Sequence, residues 1–424
     1  MADATLREVA EEKPRVGERE RTPVRSDLSV MYADGAAWSL MVGLGETYFA
    51  AFALALGKGA PAAALLATLP MFSGALAQWL LLPALLRCAS LRRWVVLVVA
   101  LQSLCFVPLL VGAWRGELST ALLFIMVSLY WMLGQSGGPA WSTWIEALVP
   151  RALRLRYFAL RTRMLHATTL AGIAAGGFLL EEYADPRAPT RAFVLLFAAA
   201  LLARAVSAVL LTRHSDGGLR PEQLSRVPLG AFLGRLRHSP DGQLLAYLLA
   251  LQLAIQLGQP LVTPFLLDHQ QRSYSAYMGL VAAFFLGKAL AMPAWGECAR
   301  RRGVMALLTL GGLGVIPATL PWLLTESYAL LFLAQGIAGA FSGAVELATF
   351  YAYFAALDSR ERASLLTHYN LLNSGAFAVG TLGGAWLLSA SGGYAWAFAG
   401  SALLRALALL LLVRLHRSRV ALKM

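Results

Sequence analysis

The chain has 424 residues, 58% of them hydrophobic and only 14% charged, with a mean hydropathy of +0.62. That composition excludes an ordinary soluble domain and leaves no polar stretch large enough to house an ATP-hydrolysing domain. A net charge of +13 would suit a nucleic-acid binder, but its distribution along the chain argues against that reading.

Residues 1–29 are polar at first and carry both signs of charge, including Arg7, Glu11, Glu12, Lys13, Arg19 and Glu20. They lack the apolar core and cleavage site of a secretory signal, so a disordered cytoplasmic tail is expected. Twelve apolar stretches follow, each with about 20 residues or more, enough for a helix to cross roughly 30 Å of hydrocarbon. They fall at 30–57, 61–86, 93–114, 118–147, 164–183 and 192–212, then at 243–267, 275–297, 304–324, 328–356, 366–389 and 394–415. Between the two sets lies a polar connector, 213–242, and the chain ends in a second tail, 416–424. Within the connector, 228–237 suits either a plain linker or a short amphipathic helix with Leu229, Phe232, Leu233 and Leu236 on lipid.

The two sets repeat one another. Gly45, Glu46 and Phe52 recur as Gly258, Gln259 and Phe265, and Gly74 recurs as Gly287, all at an offset of 213. The pair Gly176-Gly177 recurs as Gly383-Gly384, and Arg204 with Arg213 recurs as Arg405 with Arg414. The expected fold class is therefore an all-α membrane protein of twelve transmembrane helices. These form two pseudo-symmetric six-helix bundles, 30–212 and 243–415. Duplicated membrane bundles are an architecture in which secondary transporters place a solute site.

On a path that alternates from an inside amino terminus, the inner loops and C-terminal tail hold 22 Lys and Arg, not counting the first tail. The outer loops hold only Lys58, Arg115, Arg187, Arg191 and Arg272. This asymmetry orients membrane helices, so both termini are expected in the cytoplasm and nucleic acid is not an expected partner. The 32 Arg against four Lys hint at a bacterium and its inner membrane. Cys88, Cys105 and Cys298 are isolated, which suggests neither a disulfide framework nor a metal cluster.

The loops after the second and eighth stretches share a spacing. Gly296-Glu297-Cys298-Ala299-Arg300-Arg301-Arg302-Gly303 matches Pro83-Ala84-Leu85-Leu86-Arg87-Cys88-Ala89-Ser90, which is followed by Arg92 and Arg93. With the two halves and the basic connector, this resembles the major facilitator superfamily over about residues 30–415. The superfamily's loop reads Gly-x-x-x-Asp-Arg-x-Gly; here Arg87 and Arg300 stand where the family has its acid. A second paired element, Pro150-x-x-x-Arg154 and Asp358-x-x-x-Arg362, follows the fourth and tenth stretches. The stretch from Trp141-Ser142-Thr143-Trp144 through Tyr157-Phe158 and Arg161 is similar to a poorly characterised prokaryotic branch. The resemblance implies secondary transport of a small solute by alternating access, with Arg87, Arg92, Arg93, Arg154, Arg300, Arg301, Gly303 and Arg362 as cytoplasmic gating-loop candidates. Anchoring by positive charge explains these arginines equally well.

Polar side chains inside the apolar stretches fall on faces. On a helical wheel Gln252, Gln256, Gln259 and Thr263 of the seventh stretch share one arc, and the repeat maps them onto Ser39, Gly43, Glu46 and Ala50. The tenth carries Gln335, Ser342, Glu346 and Tyr353, answered in the fourth by Ser128, Gln135, Pro139 and Glu146, with Ser142 on the same arc. Such faces are expected to meet water or protein, and helix-packing hydrogen bonds are the plainer alternative. Helices one, four, seven and ten are those the resemblance places around a central cavity, with Trp38 at its edge.

Among ionisable groups, Glu46 and Glu346 are the candidates for proton coupling and Lys288 for a counter-ion or anion ligand; a fixed Lys–Glu pair is the alternative. Glu146 sits near an inner helix end, where pairing with arginine is expected. Arg204 and Arg405 are expected to brace neighbouring helices, Asp34 to pair with a cytoplasmic-side arginine, and His166 and His368 to be solvated. The glycines of the fifth stretch, Gly172-Ile173-Ala174-Ala175-Gly176-Gly177, resemble an element of drug–proton exporters without its proline, which tilts the expectation toward export over nutrient uptake. A non-transporting membrane receptor is a further alternative. The chain carries no phosphate loop and no His-Glu-x-x-His, so no enzyme is expected. The expected partners are a small-molecule solute, protons and the lipid bilayer, with no cofactor, no metal and a monomeric state.

Overall fold

The computed structural model describes residues 18–183, 190–216, 224–272 and 274–417. Among the described residues, twelve helices are long and apolar enough to cross a membrane, matching the twelve stretches in order. The first six spans are Glu18–Leu44 with its continuation Phe49–Ala55, then Gly59–Leu86, Leu91–Leu104 continuing as Phe106–Arg115, Thr120–Leu148, Arg154–Glu182 and Arg191–Leu211. The second six begin with Pro240–Gly258, which runs on through short turns to His269, followed by Tyr274–Arg302 and Val304–Val315 with its continuation to Leu324. Tyr328–Ala356, Arg362–Ser391 and Tyr394–Arg417 complete the set. No strand occurs among the described residues. Large side chains such as Leu290, Leu333, Leu382, Trp386 and Trp396 stand exposed on the helices, as a lipid-facing surface requires.

The chain forms two compact units whose bounds do not follow the sequence halves. One comprises Met1–Tyr157, Ala167–Arg226 and Arg362–Thr367; the other comprises Phe158–His166, Val227–Glu361 and His368–Met424. Within the first unit, span one packs on six, two on four, and three on four and six. Within the second the same pattern returns: seven on twelve, eight on ten, and nine on ten and twelve. Glycines set the closest approaches. A Cβ on Gly45 would strike Phe106 and Ala200, and one on Gly258 would fit tightly against Thr319 and Ser401, the matching positions of the repeat. Gly74 lies against Met132 and Trp131 of span four, and Gly287 against the Gly336 carbonyl of span ten. Gly287→Ala is expected to lower the thermal midpoint in detergent, the overpacking being worth about 1–3 kcal/mol. Gly375→Ala, where a Cβ meets open space, should raise it slightly, by about 0.4–1 kcal/mol.

Three expectations need correction. Span one begins at Glu18, inside the segment expected to be a disordered tail. The early start is anchored: Asp27 accepts the Ser215 N–H at 2.9 Å and the Leu28 carbonyl accepts the Tyr157 hydroxyl at 2.8 Å. Residues 1–17 and 418–424 lie outside the described residues. The connector does contain a helix, Leu229–His238, but Phe232 is fully buried against the His368 ring and does not meet lipid. Arg235 forks onto Glu361 at 2.6 and 3.1 Å, which raises its already high pKa. His368 and His166 are buried, not solvated; His368 Nε2 lies 2.7 Å from the Val227 carbonyl.

Cys88, Cys105 and Cys298 are all free thiols. Cys88 lies between spans two and three, and burial pushes its thiol above the ordinary range. Its alkylation by iodoacetamide is expected to be slow at pH 7 and to accelerate as pH rises, read by mass spectrometry of the intact chain.

Candidate solute cavity

Within the second unit, spans seven to twelve enclose a cavity of about 570 Å³. All four residues of the span-ten face line it, Gln335, Ser342, Glu346 and Tyr353. They do so because span ten is one unbroken helix, so a wheel keeps its phase over the whole length. Span seven behaves differently. Gln252 and Gln259 line the cavity, whereas Gln256 lies against Gly380 of span eleven and Thr263 meets the Tyr277 hydroxyl at 3.2 Å. The α-helix ends at Gly258 and a tighter turn over Gln259–Leu261 shifts the phase of everything beyond.

At the centre of the lining is a charge cluster. Glu346 accepts a hydrogen bond from Lys288 Nζ at 2.8 Å, and its other carboxylate oxygen lies 3.2 Å from His166 Nε2. Lys288 also sits over the ring of Phe284, 5.3 Å from its centroid. The Glu346 side chain keeps 44% of its surface accessible while His166 is buried, so the carboxylate faces the cavity and the imidazole backs it. A carboxylate that faces the cavity between an ammonium and an imidazole can exchange a proton there, the ammonium balancing its charge when it is ionised.

Sequence reasoning missed other lining residues. Tyr369, Asn370 and Asn373 of span eleven face the cavity, with the Tyr369 and Tyr353 rings 5.8 Å apart. Their three- and four-residue spacing was a readable signal, hidden by its position near a helix end. Arg405 of span twelve also reaches the lining.

The first unit arranges its polar groups otherwise. Glu46 accepts a hydrogen bond from Tyr130 at 2.7 Å, at the edge of an aromatic core containing Phe49 and Phe106. Buried Arg204 donates to Gln102 at 2.7 Å and to Ser207 at 3.1 Å, and Ser207 donates to Asp34 at 2.6 Å. This is the bracing expected of Arg204, and it gives Asp34 its link to an arginine. Ser39 and Ser142 are buried, bonding the carbonyls of Ala36 and Pro139, and Gln135 donates to the Met71 carbonyl at 2.9 Å. Trp38 is exposed.

Of the loop arginines, Arg154 and Arg362 converge on Glu146. Arg154 pairs with one oxygen at 2.9 Å and Arg362, itself fully buried, pairs with the other. Arg300 and Arg301 both turn back onto Glu297 of their own helix, which runs to Arg302 before Gly303 breaks it with a φ of +83°. The Arg93 amide is capped by the Ser90 hydroxyl, which also bonds Asp216 at 2.6 Å. Arg87 follows span two as its C-terminal cap, and Arg92 opens span three.

The profile of the Major Facilitator Superfamily matches residues 248–423. The match covers less than half of the chain, so the second half resembles the superfamily in sequence and the whole chain resembles its solved members in fold. The human organic anion transporter MFSD10 (TETRAN) superposes with a TM-score of 0.69 at 16% identity, covering 92% of this chain and 99% of that one. The Escherichia coli fucose:proton symporter FucP gives 0.67 at 11%, covering 92% and 98%. The proton:xylose symporter XylE gives 0.68 at 12%, covering 93% and 96%. No curated protein sequence matches the chain. The twelve long apolar helices among the described residues make the chain a multi-pass membrane protein.

Proposed function

We propose that the protein carries a small polar solute across the membrane by alternating access, coupled to protons at Glu346. The observation that carries this reading is the approach of Lys288 and His166 to the two oxygens of a carboxylate that opens into a solute-sized cavity. Protonating Glu346 would break its ion pair and free the Lys288 ammonium for a solute acceptor; losing that proton would restore the pair and compete with the solute. His166 would receive or supply the proton from the buried side. The amide-rich lining of Gln252, Gln259, Gln335, Asn370 and Asn373 suits hydroxyl and carbonyl groups on the solute.

Glu46 fits a structural role better, as a balancing charge for Arg204, because its carboxylate is held by Tyr130 against packed aromatic rings. The test is proteoliposome transport over a panel of solutes under an imposed pH gradient. A solute accumulated by the wild type, with coupling lost in Glu346→Gln and kept in Glu46→Gln, supports the assignment. Coupling that survives Glu346→Gln refutes it.

A further inference from the structure

Arg405 carries a charge that the second unit does not balance. The residue is 2% exposed, and its Nη1 donates to the Val315 carbonyl at 2.7 Å. Its Nε and Nη2 are buried and find no acceptor among the described residues, although the residue lines the cavity. A guanidinium does not deprotonate in a protein, so these donors stay charged.

The repeat shows what is missing. Because Gly45 meets Phe106 and Ala200 where Gly258 meets Thr319 and Ser401, the offset is 213 for spans one and three and 201 for span six. Carried across, the surroundings of Arg204 become Tyr247 for Asp34, Gln259 for Glu46, Val315 for Gln102 and Ala408 for Ser207. Both carboxylates and both neutral acceptors are gone, while the arginine remains. The Tyr247 hydroxyl is itself buried with no partner among the described residues. Glu346 is engaged by Lys288, so the cavity's own carboxylate is committed elsewhere.

We infer that Arg405 is the receptor of an anion site in this cavity, in which the ligand supplies the negative charge that Asp34 and Glu46 supply in the first unit. The free donors Nε and Nη2 lie along one edge of the guanidinium, the edge that takes a carboxylate as a two-point fork. The ligand is therefore a small anion with paired acceptor oxygens, either the acid group of a solute or a resident inorganic ion. The site adds to the transport reading without depending on it, since binding needs no translocation.

The test is thermal unfolding of the purified full chain in detergent, followed by intrinsic fluorescence, in a buffer whose only anion is a bulky sulfonate. Formate, acetate, longer carboxylates, nitrate and chloride are titrated in. The wild type is expected to gain stability saturably. Arg405→Met should need about tenfold more anion or more for the same gain. Gln259→Glu, which keeps the guanidinium and places a carboxylate where the first unit has Glu46, should melt no lower than wild type and lose the response. A response to carboxylates alone assigns the site to a solute's acid group, and an equal response to nitrate assigns it to a resident inorganic oxyanion. Chloride, which cannot fork, should be the weaker ligand in either case, and a chloride response as strong as the best oxyanion's overturns the two-point site. A wild-type midpoint unmoved by every anion, or an unchanged response in either variant, overturns the proposal.

Discussion

Glu346→Gln is expected to abolish pH-driven accumulation while leaving solute exchange between the two sides of a liposome intact. One proton per solute converts each unit of pH gradient into about a tenfold concentration ratio, since one unit is worth about 1.4 kcal/mol. In the variant that ratio should fall to one. The amide keeps the shape of the carboxylate, so cavity and fold survive, but it cannot take up the proton. It also loses the ion pair with Lys288, leaving the ammonium free. Exchange, which needs no net proton movement, should therefore persist. Lys288→Met is expected to do different damage: it strands Glu346 beside His166 alone and weakens solute affinity as well as coupling.

The second large effect concerns the two related arginines. Arg204→Leu should destabilise the protein by about 3–5 kcal/mol, because it removes the cation that serves Gln102 and Ser207 and leaves the buried Asp34 and the half-buried Glu46 unbalanced. Arg405→Leu should stay within about 1 kcal/mol of the wild type in anion-free buffer, since only a backbone hydrogen bond is lost. The same substitution at repeat-related sites thus has unlike effects on stability, read as thermal midpoints in detergent. Equal losses would mean that Arg405 has a protein partner of its own.

The fold was legible in the sequence because membrane helices announce themselves by length and apolarity, and because the repeat left glycines at the helix contacts. Gly45, Gly74 and Gly287 are kept where neighbouring atoms leave no room for a Cβ, and Gly258 where the fit would be tight. The span-ten face was legible for a related reason: an unbroken helix keeps its period. Legibility ended where the period breaks, at Gly258, so Thr263 left the expected face, and where a neighbour takes up a residue of that face, as span eleven does Gln256 at Gly380. It ended also where a partner comes from far along the chain. Nothing in the sequence near Glu346 points to His166, which belongs with the second unit although it lies in the first six spans. The amphipathic period of 229–236 is plain in the residues, but period alone does not say whether an apolar face meets lipid or, as Phe232 does, a buried histidine.

The central claim is that the polar faces of spans seven and ten enclose a water-accessible cavity. Single cysteines at Gln252, Gln259, Gln335 and Ser342 in a cysteine-free background test it through their reaction with a small charged methanethiosulfonate. These four should react, whereas cysteines at Leu290, Leu333 and Leu382 on the lipid side should stay silent. Silence at all four cavity positions, or equal reaction on the lipid face, would contradict the account.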